Sequence, residues 1–163
     1  MWYVNEGVLG SNPNGYTMVD FKNNKHIGEI GERIAIGELS KFGLDILLPM
    51  SDNLPYDFVV FTNNTFYKCQ VKSTNGRGKN ESFRFNLTSN NWNKGIEYKY
   101  SEDEIDIIIC CDLTNIYLFK FSELKDKKNI YIRDTETKNN QKKGIIFAKD
   151  CILSEKRINE IFT

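Results

Sequence analysis

Residues 57–72 have the sequence DFVVFTNNTFYKCQVK, and this stretch decides the fold. Two runs rich in β-branched and aromatic residues, 57–61 and 65–72, flank Asn63-Asn64, a pattern typical of a tight β-hairpin. Side chains two positions apart on a strand project to the same face, so Gln70 and Lys72 share a face. The hairpin returns the second strand alongside the first. The sequence therefore predicts that Asp57, Gln70 and Lys72 meet at one end of a sheet.

A helix is predicted upstream of this hairpin, over residues 27–42, with Gly43 as its C-terminal cap. Its main apolar side chains fall on one broad face at 100° per residue: Ile27, Ile30, Ile34, Ala35 and Phe42. Gly28 and Gly31 lie on the same side and allow the helix to approach closely whatever it covers. Glu32 lies at the edge of that face, so we expect the helix to place its carboxylate over the hairpin.

The rest of the chain adds strands and one more helix. Further strands are predicted at 44–48, 83–87, 105–111, 116–121 and 145–148, and a helix at 154–162. The apolar run 105–111 is typical of a strand buried on both faces, and we expect it to pair with 116–121. The predicted fold class is α/β, with a mixed β-sheet flanked by helices. We expect one domain over 1–163, in which 1–25 form an arm or a loose segment.

Composition restricts the class of protein. The chain has 163 residues, is 40% hydrophobic and carries no net charge, which excludes a binder whose whole surface is basic. Its apolar runs are too short to cross a membrane and no secretory signal is visible, so we expect a cytoplasmic protein with no membrane partner. The four cysteines form no C-x-x-C pair, which favours buried free thiols. A single histidine excludes a multi-histidine metal site.

Phosphodiester hydrolysis suits the residues that the hairpin and helix bring together. Asp57 and Glu32 offer charged oxygens and Gln70 a neutral one, and such hard ligands bind Mg²⁺, for which Mn²⁺ can substitute. Lys72 can stabilise the attacking hydroxide or the charge that grows on the phosphate. Glu29, one helical turn before Glu32, is the alternative ligand from the helix.

This arrangement resembles the PD-(D/E)XK nuclease superfamily, above all its intron-encoded homing-endonuclease branch, in which Q-x-K replaces D/E-x-K. The resemblance is carried by KHIGEIGE at 25–32, DNLPYD at 52–57 and QVK at 70–72, and more faintly by Arg84, Tyr100 and the strand after Ile105. It implies a restriction-endonuclease-like fold and a Mg²⁺-dependent DNA endonuclease that acts as a homodimer or homotetramer. It also implies that Glu32, Asp57, Gln70 and Lys72 form the catalytic group, with the first three as metal ligands.

Double-stranded DNA is the predicted partner, and a basic segment indicates where it binds. Between 72 and 99 there are six lysines and arginines against two glutamates, a local excess of four positive charges. The predicted DNA contacts, besides the catalytic Lys72, are Arg77, Lys79, Arg84, Lys94 and Lys99.

Three alternatives stay open on the sequence alone. A Holliday-junction resolvase would have the same arrangement of active-site residues, and these motifs do not indicate which DNA shape is preferred. A catalytically inactive DNA-binding module could keep the fold without cleaving DNA. Asp57 and Lys72 could also form an ordinary cross-strand ion pair.

Overall fold

The computed structural model describes residues 23–51, 53–78, 81–91, 96–124, 126–135 and 146–163. The helices are α1 (Asn24–Lys41), α2 (Ala148–Cys151) and α3 (Glu155–Ile161), with a 3-10 turn at Phe121–Glu123. The strands are β1 (Asp45–Leu47), β2 (Phe58–Thr62), β3 (Thr65–Ser73), β4 (Ser82–Asn86), β5 (Ser89–Asn91), β6 (Ile96–Tyr98), β7 (Ile107–Cys111), β8 (Ile116–Lys120), β9 (Asn129–Arg133) and β10 (Ile146–Phe147).

A five-stranded mixed sheet with the order β1-β2-β3-β7-β8 forms the centre of the molecule. Strands β2 and β3 form the predicted hairpin, whose turn residues Asn63 and Asn64 have φ values of 50° and 56°, as a type I′ turn requires. Strand β3 then pairs with β7 in parallel, and β7 pairs with β8 in the antiparallel sense. All five residues of β7 are buried, as the apolar run predicted.

Each face of the central sheet is covered by a different layer. Helices α1 and α3 pack on one face, where Ala35 and Ile158 meet Cys111 in one apolar cluster. A three-stranded sheet with the order β10-β9-β4 covers the other face, where Phe85 meets Cys110. The adjacent cysteines therefore point to opposite faces, and all four thiols are free and buried. The α/β class with a mixed sheet flanked by helices is confirmed.

Helix α1 differs from its predicted form in the residues that it buries. Asn23 caps the helix by accepting a hydrogen bond from the Lys25 N–H, and Gly43 follows the helix at a φ of +75°. The buried face is formed by residues four positions apart: Ile27, Gly31, Ala35 and Leu39. The prediction was wrong for Phe42, which is 39% exposed, and for Gly28, which faces open space, because only the row of residues from Ile27 to Leu39 at intervals of four faces the sheet.

The contact between Gly31 and β3 fixes the position of α1. A Cβ atom on Gly31 would lie 1.9 Å from Ser73 Oγ, so only glycine allows the helix backbone to approach this strand so closely. Glu32 follows directly in the chain, and its position relative to β3 is therefore set by backbone packing.

The second sheet and the β5–β6 hairpin were not predicted. Two strands of that sheet, β4 and β10, were predicted individually, at 83–87 and 145–148, each within one residue of its observed bounds. Among the described residues, no helix is both long and apolar enough to span a membrane. Residues 1–22 and 136–145 lie outside the described part of the chain, and so does most of the predicted arm at 1–25.

Candidate active site

Asp57 is held against β3 by three hydrogen bonds. Its backbone N–H donates to the Cys69 carbonyl over 2.8 Å, which extends the hairpin pairing one residue before β2 begins. Its Oδ2 atom accepts from the Gln70 amide nitrogen and from the Val71 N–H, each over 2.6 Å. The hairpin therefore brings the carboxylate of Asp57 to the side chain of Gln70, as the sequence predicted.

The amide of Gln70 has one orientation that satisfies its neighbours. Its Nε2 atom donates to Asp57 Oδ2 and also lies 3.2 Å from the Val71 carbonyl oxygen. Both neighbours are acceptors only, so the nitrogen and not the oxygen must face them. Gln70 is 8% exposed, and this buried amide offers its nitrogen to Asp57.

Lys72 lies on the same face of β3 as Gln70, toward the second sheet. Its Nζ atom donates to the Tyr100 hydroxyl over 2.9 Å, lies 3.5 Å from the Thr88 carbonyl oxygen and is 4.7 Å from the centre of the Tyr100 ring. No ion pair joins Lys72 to Asp57, which removes the simple cross-strand pair that the sequence left open. The lysine charge still acts on Asp57, since it partly opposes the rise in the pKa of that carboxyl that burial causes.

Glu32 and Asp57 face the same open groove. The groove has a volume of about 460 Å³, and its lip is apolar, with Leu48 at 64% and Met50 at 105% exposure. Glu29 does not line it, so Glu32 is the helix carboxylate that faces Asp57.

The electrostatics of this groove are unfavourable to the two carboxylates. Burial raises the pKa of Glu32, and the negative charge of Asp57 raises it further. Burial also raises the pKa of Asp57, against the opposing effects of the Val71 N–H, the Lys72 charge and the Gln70 amide. Two carboxylates that repel each other in a partly buried groove are stabilised by a cation between them.

The donor set fits a hard divalent cation. Asp57 Oδ1 and both carboxylate oxygens of Glu32 accept no hydrogen bond from any described residue, and both residues line the groove. Within the described ranges no group of three or more His, Cys, Asp or Glu side chains is placed to hold a metal ion, so the protein contributes two carboxylates at this groove. Two carboxylates with water are a typical environment for Mg²⁺.

The predicted DNA contacts have different surroundings. Arg77 forms an ion pair with Asp134 and packs over the ring of Phe83, so part of its charge is neutralised. Arg84 and Lys99 are exposed, and Lys79 and Lys94 lie outside the described residues.

Two contacts of the site were missed from the sequence. Tyr100 and Thr88 hold the ammonium of Lys72, and Tyr100 was recognised only as a faint part of a family resemblance. The only local signal for this contact was that Tyr100 precedes the acidic turn 101–104, and such a pattern is a weak indication of a lysine partner.

The comparisons with known proteins agree with this geometry. The family model of PD-(D/E)XK endonucleases matches residues 22–152. The fold is similar to that of a bacterial homing endonuclease, I-Ssp6803I, with a TM-score of 0.62 and 24% identity over 73% of this chain and 82% of that chain. No curated protein matches the chain. The chain belongs to the PD-(D/E)XK endonuclease family.

Proposed function

We propose that this protein is a Mg²⁺-dependent DNA endonuclease that hydrolyses phosphodiester bonds, with Glu32, Asp57, Gln70 and Lys72 as its catalytic group. The observation that supports this most strongly is the meeting of Asp57 and Gln70 at 2.6 Å, next to Lys72 on the same strand. Mn²⁺ is expected to substitute for Mg²⁺, because both bind oxygen ligands.

The metal ligands in this proposal are Glu32 and Asp57, with the Gln70 oxygen as a third. Bound there, the cation would lower the pKa of a water molecule and polarise a phosphate oxygen. Gln70 now donates its nitrogen to Asp57, so its oxygen can serve only after the amide rotates. A neutral third ligand keeps the charge of the site lower than a carboxylate would.

Lys72 acts on the phosphate in this proposal. Its ammonium donates to the Tyr100 hydroxyl and lies near the Thr88 carbonyl oxygen, so it is oriented before any substrate binds. A fixed positive charge stabilises negative charge that develops in the transition state better than a mobile one. The Val71 N–H performs the matching task for Asp57, because it fixes one carboxylate oxygen and leaves the other for the groove.

A site-specific homing endonuclease that works as a homodimer or homotetramer is the more specific form of the proposal. The fold similarity to a homing endonuclease supports it. The size of the chain supports oligomerisation, because one small domain covers too little DNA for high specificity.

Cleavage of two substrates tests the proposed function. Purified protein is incubated with supercoiled plasmid and with a synthetic four-way junction, in Mg²⁺, in Mn²⁺ and in EDTA. We expect metal-dependent cleavage of duplex DNA that Lys72→Ala and Asp57→Asn abolish. Lys68→Ala is the matched control, since Lys68 lies on the same strand and contacts the Asp103 carbonyl instead of the site. Preferential cutting of the junction would indicate a resolvase, and cleavage that is unaffected by Lys72→Ala would refute the assignment.

A further inference from the structure

The solvent-facing side of the second sheet carries a row of side chains that the proposed chemistry does not use. In β4 and β9 the residues Phe83, Phe85, Ile130 and Ile132 point inward and are buried, so the alternate residues point outward. We call these alternate residues the outer row: Arg84, Asn86, Asn129, Tyr131 and Arg133. The row contains two arginines, two asparagines and a tyrosine, and it contains no carboxylate.

The members of the outer row lie side by side. Arg84 is directly opposite Tyr131, and Asn86 is directly opposite Asn129, in the antiparallel pairing of β4 with β9. Arg84 Nε donates to Asn129 Oδ1 over 3.1 Å, which orients the guanidinium from one side. Within the described part of the chain, its two terminal nitrogens contact no acceptor. Tyr131 is 47% exposed beside it.

These residue types match the edges of DNA bases in the major groove. The two terminal nitrogens of arginine fit O6 and N7 of guanine. Asn86 Oδ1 already accepts from the Thr88 N–H and hydroxyl, so Asn86 can offer only its amide nitrogen. The major groove is wide enough to admit a two-stranded β-ribbon. A lysine-rich surface would bind the phosphate backbone without distinguishing bases, whereas this row offers planar donor groups on a rigid sheet.

The outer row is also connected to the candidate active site. The Thr88 carbonyl oxygen, two residues beyond the end of β4, lies 3.5 Å from Lys72 Nζ. Four extended residues span at most about 14 Å, so the backbone of Arg84 lies within about one turn of DNA from Lys72. A duplex that brings a phosphate to Lys72 is therefore long enough to reach the ribbon as well.

From these contacts, and on the basis of the proposed nuclease function, we infer that the β4–β9 ribbon enters the major groove and determines the DNA sequence that is recognised. Arg84 is the central contact, Asn129 orients it, and Asn86 and Tyr131 complete the surface.

The test is a selection from linear duplexes with a randomised central segment, retained on the protein in Ca²⁺ and sequenced. Wild-type protein is expected to enrich a defined sequence. Arg84→Ala and Arg84→Lys should lose the preference at one base pair of each half-site by about 5- to 150-fold. Arg84→Lys keeps the charge, so any fall in the salt dependence of binding should be confined to Arg84→Ala, and loss of the preference in both variants separates base recognition from charge.

Lys156→Ala is the control, because Lys156 is an exposed lysine of α3 on the helical side of the central sheet. Thermal unfolding of each variant checks that the fold is retained. An enriched sequence that is identical in wild type and both Arg84 variants would overturn the inference, as would retention of no duplex by wild type. Enrichment that depends on Arg84 without any cleavage in Mg²⁺ would support the ribbon and refute the nuclease. Cleavage in Mg²⁺ combined with enrichment that does not depend on Arg84 would support the nuclease and refute the ribbon.

Discussion

Gln70 Nε2 lies 2.6 Å from Asp57 Oδ2, although thirteen positions separate the two residues in the chain. The amide thus serves as a hydrogen-bond donor to a carboxylate that would repel the acid found at this position in D/E-x-K sites. Replacing the amide tests how much of the fold depends on that donor.

Gln70→Glu should destabilise the protein in EDTA and increase its response to Mg²⁺. The new carboxylate loses the hydrogen bond to Asp57 and adds a like charge, which costs about 1–3 kcal/mol. With Mg²⁺ present, the extra charged ligand should bind the cation more tightly. Thermal unfolding with and without Mg²⁺ measures both effects, and Asp57→Asn combined with Gln70→Glu removes the repulsion. An unchanged melting temperature in EDTA would contradict this account.

Tyr100→Phe should slow cleavage by about tenfold while binding of DNA is retained, because the hydroxyl orients Lys72 and does not contact the groove directly. Single-turnover cleavage at saturating DNA gives the comparison, and a separate binding measurement shows whether the loss lies in the chemical step. Tyr98→Phe is the matched control, because the Tyr98 hydroxyl pairs with Glu104 on the exposed side. Equal rates for wild type and Tyr100→Phe would show that Tyr100 only fills space.

Glu32→Gln should abolish cleavage and raise the stability of the protein in EDTA at neutral pH. Burial and Asp57 raise the pKa of Glu32 above its usual value of 4.5, so its ionised form is disfavoured in the folded state. This cost is absent well below pH 4.5 and appears as the pH rises through and above that value. The gain from Glu32→Gln should therefore vanish in acid.

Chemical denaturation at several pH values measures this trend. Glu38→Gln is the control, since Glu38 forms an ion pair with Lys41 and its loss should bring no gain. A stabilisation by Glu32→Gln that persists unchanged at pH 3 would exclude the electrostatic explanation.

Gly31→Ala should destabilise the fold by about 1–3 kcal/mol, because its methyl group would overlap Ser73 Oγ and push α1 away from β3. Gly37→Ala in the same helix meets nothing within 4 Å and should stabilise it by about 0.5–1 kcal/mol. Denaturant unfolding of the two variants gives opposite signs if the close approach sets the position of the helix. Cleavage should fall only in Gly31→Ala, since Glu32 moves with the helix.

The four cysteines should be unreactive in the native protein. Burial raises the pKa of Cys111 to about 11 and that of Cys151 to about 12, and Cys69 and Cys110 are shifted upward as well. Thiolates are the reactive form, so labelling at pH 8 should require unfolding. Mass spectrometry before and after addition of denaturant measures it. Rapid labelling of the native protein would reveal an opening that the packing does not suggest.

Local signals predicted the hairpin and the main helix. Asn63 and Asn64 specify the turn of the hairpin because asparagine tolerates a positive φ. Gly43 specifies the end of α1 because glycine adopts a positive φ without strain. The meeting of Asp57 with Gln70 then follows from strand pairing alone.

The second sheet depends on distant partners and was therefore missed. Strand β9 has only Ile130 and Ile132 as inward apolar residues. It pairs with a strand far earlier in the chain: Phe85, for example, lies 45 positions before its partner Ile130. The Lys72–Tyr100 contact spans 28 positions for the same reason. The orientation of the Gln70 amide follows from its surroundings and not from its residue type.

The parallel pairing of β3 with β7 has a consequence for how such proteins can diversify. Parallel neighbours cannot be joined by a tight turn, so the chain must leave the central sheet after Ser73 and return at Ile107. That excursion contains β4 and the loop that reaches Lys72, while both of its ends are fixed by the buried strands. Substitutions on the outward face of β4 can accumulate without shifting the register of β3, provided that Thr88 and Tyr100 still hold Lys72. The proposed recognition surface can therefore change while the arrangement of Asp57, Gln70 and Lys72 is inherited.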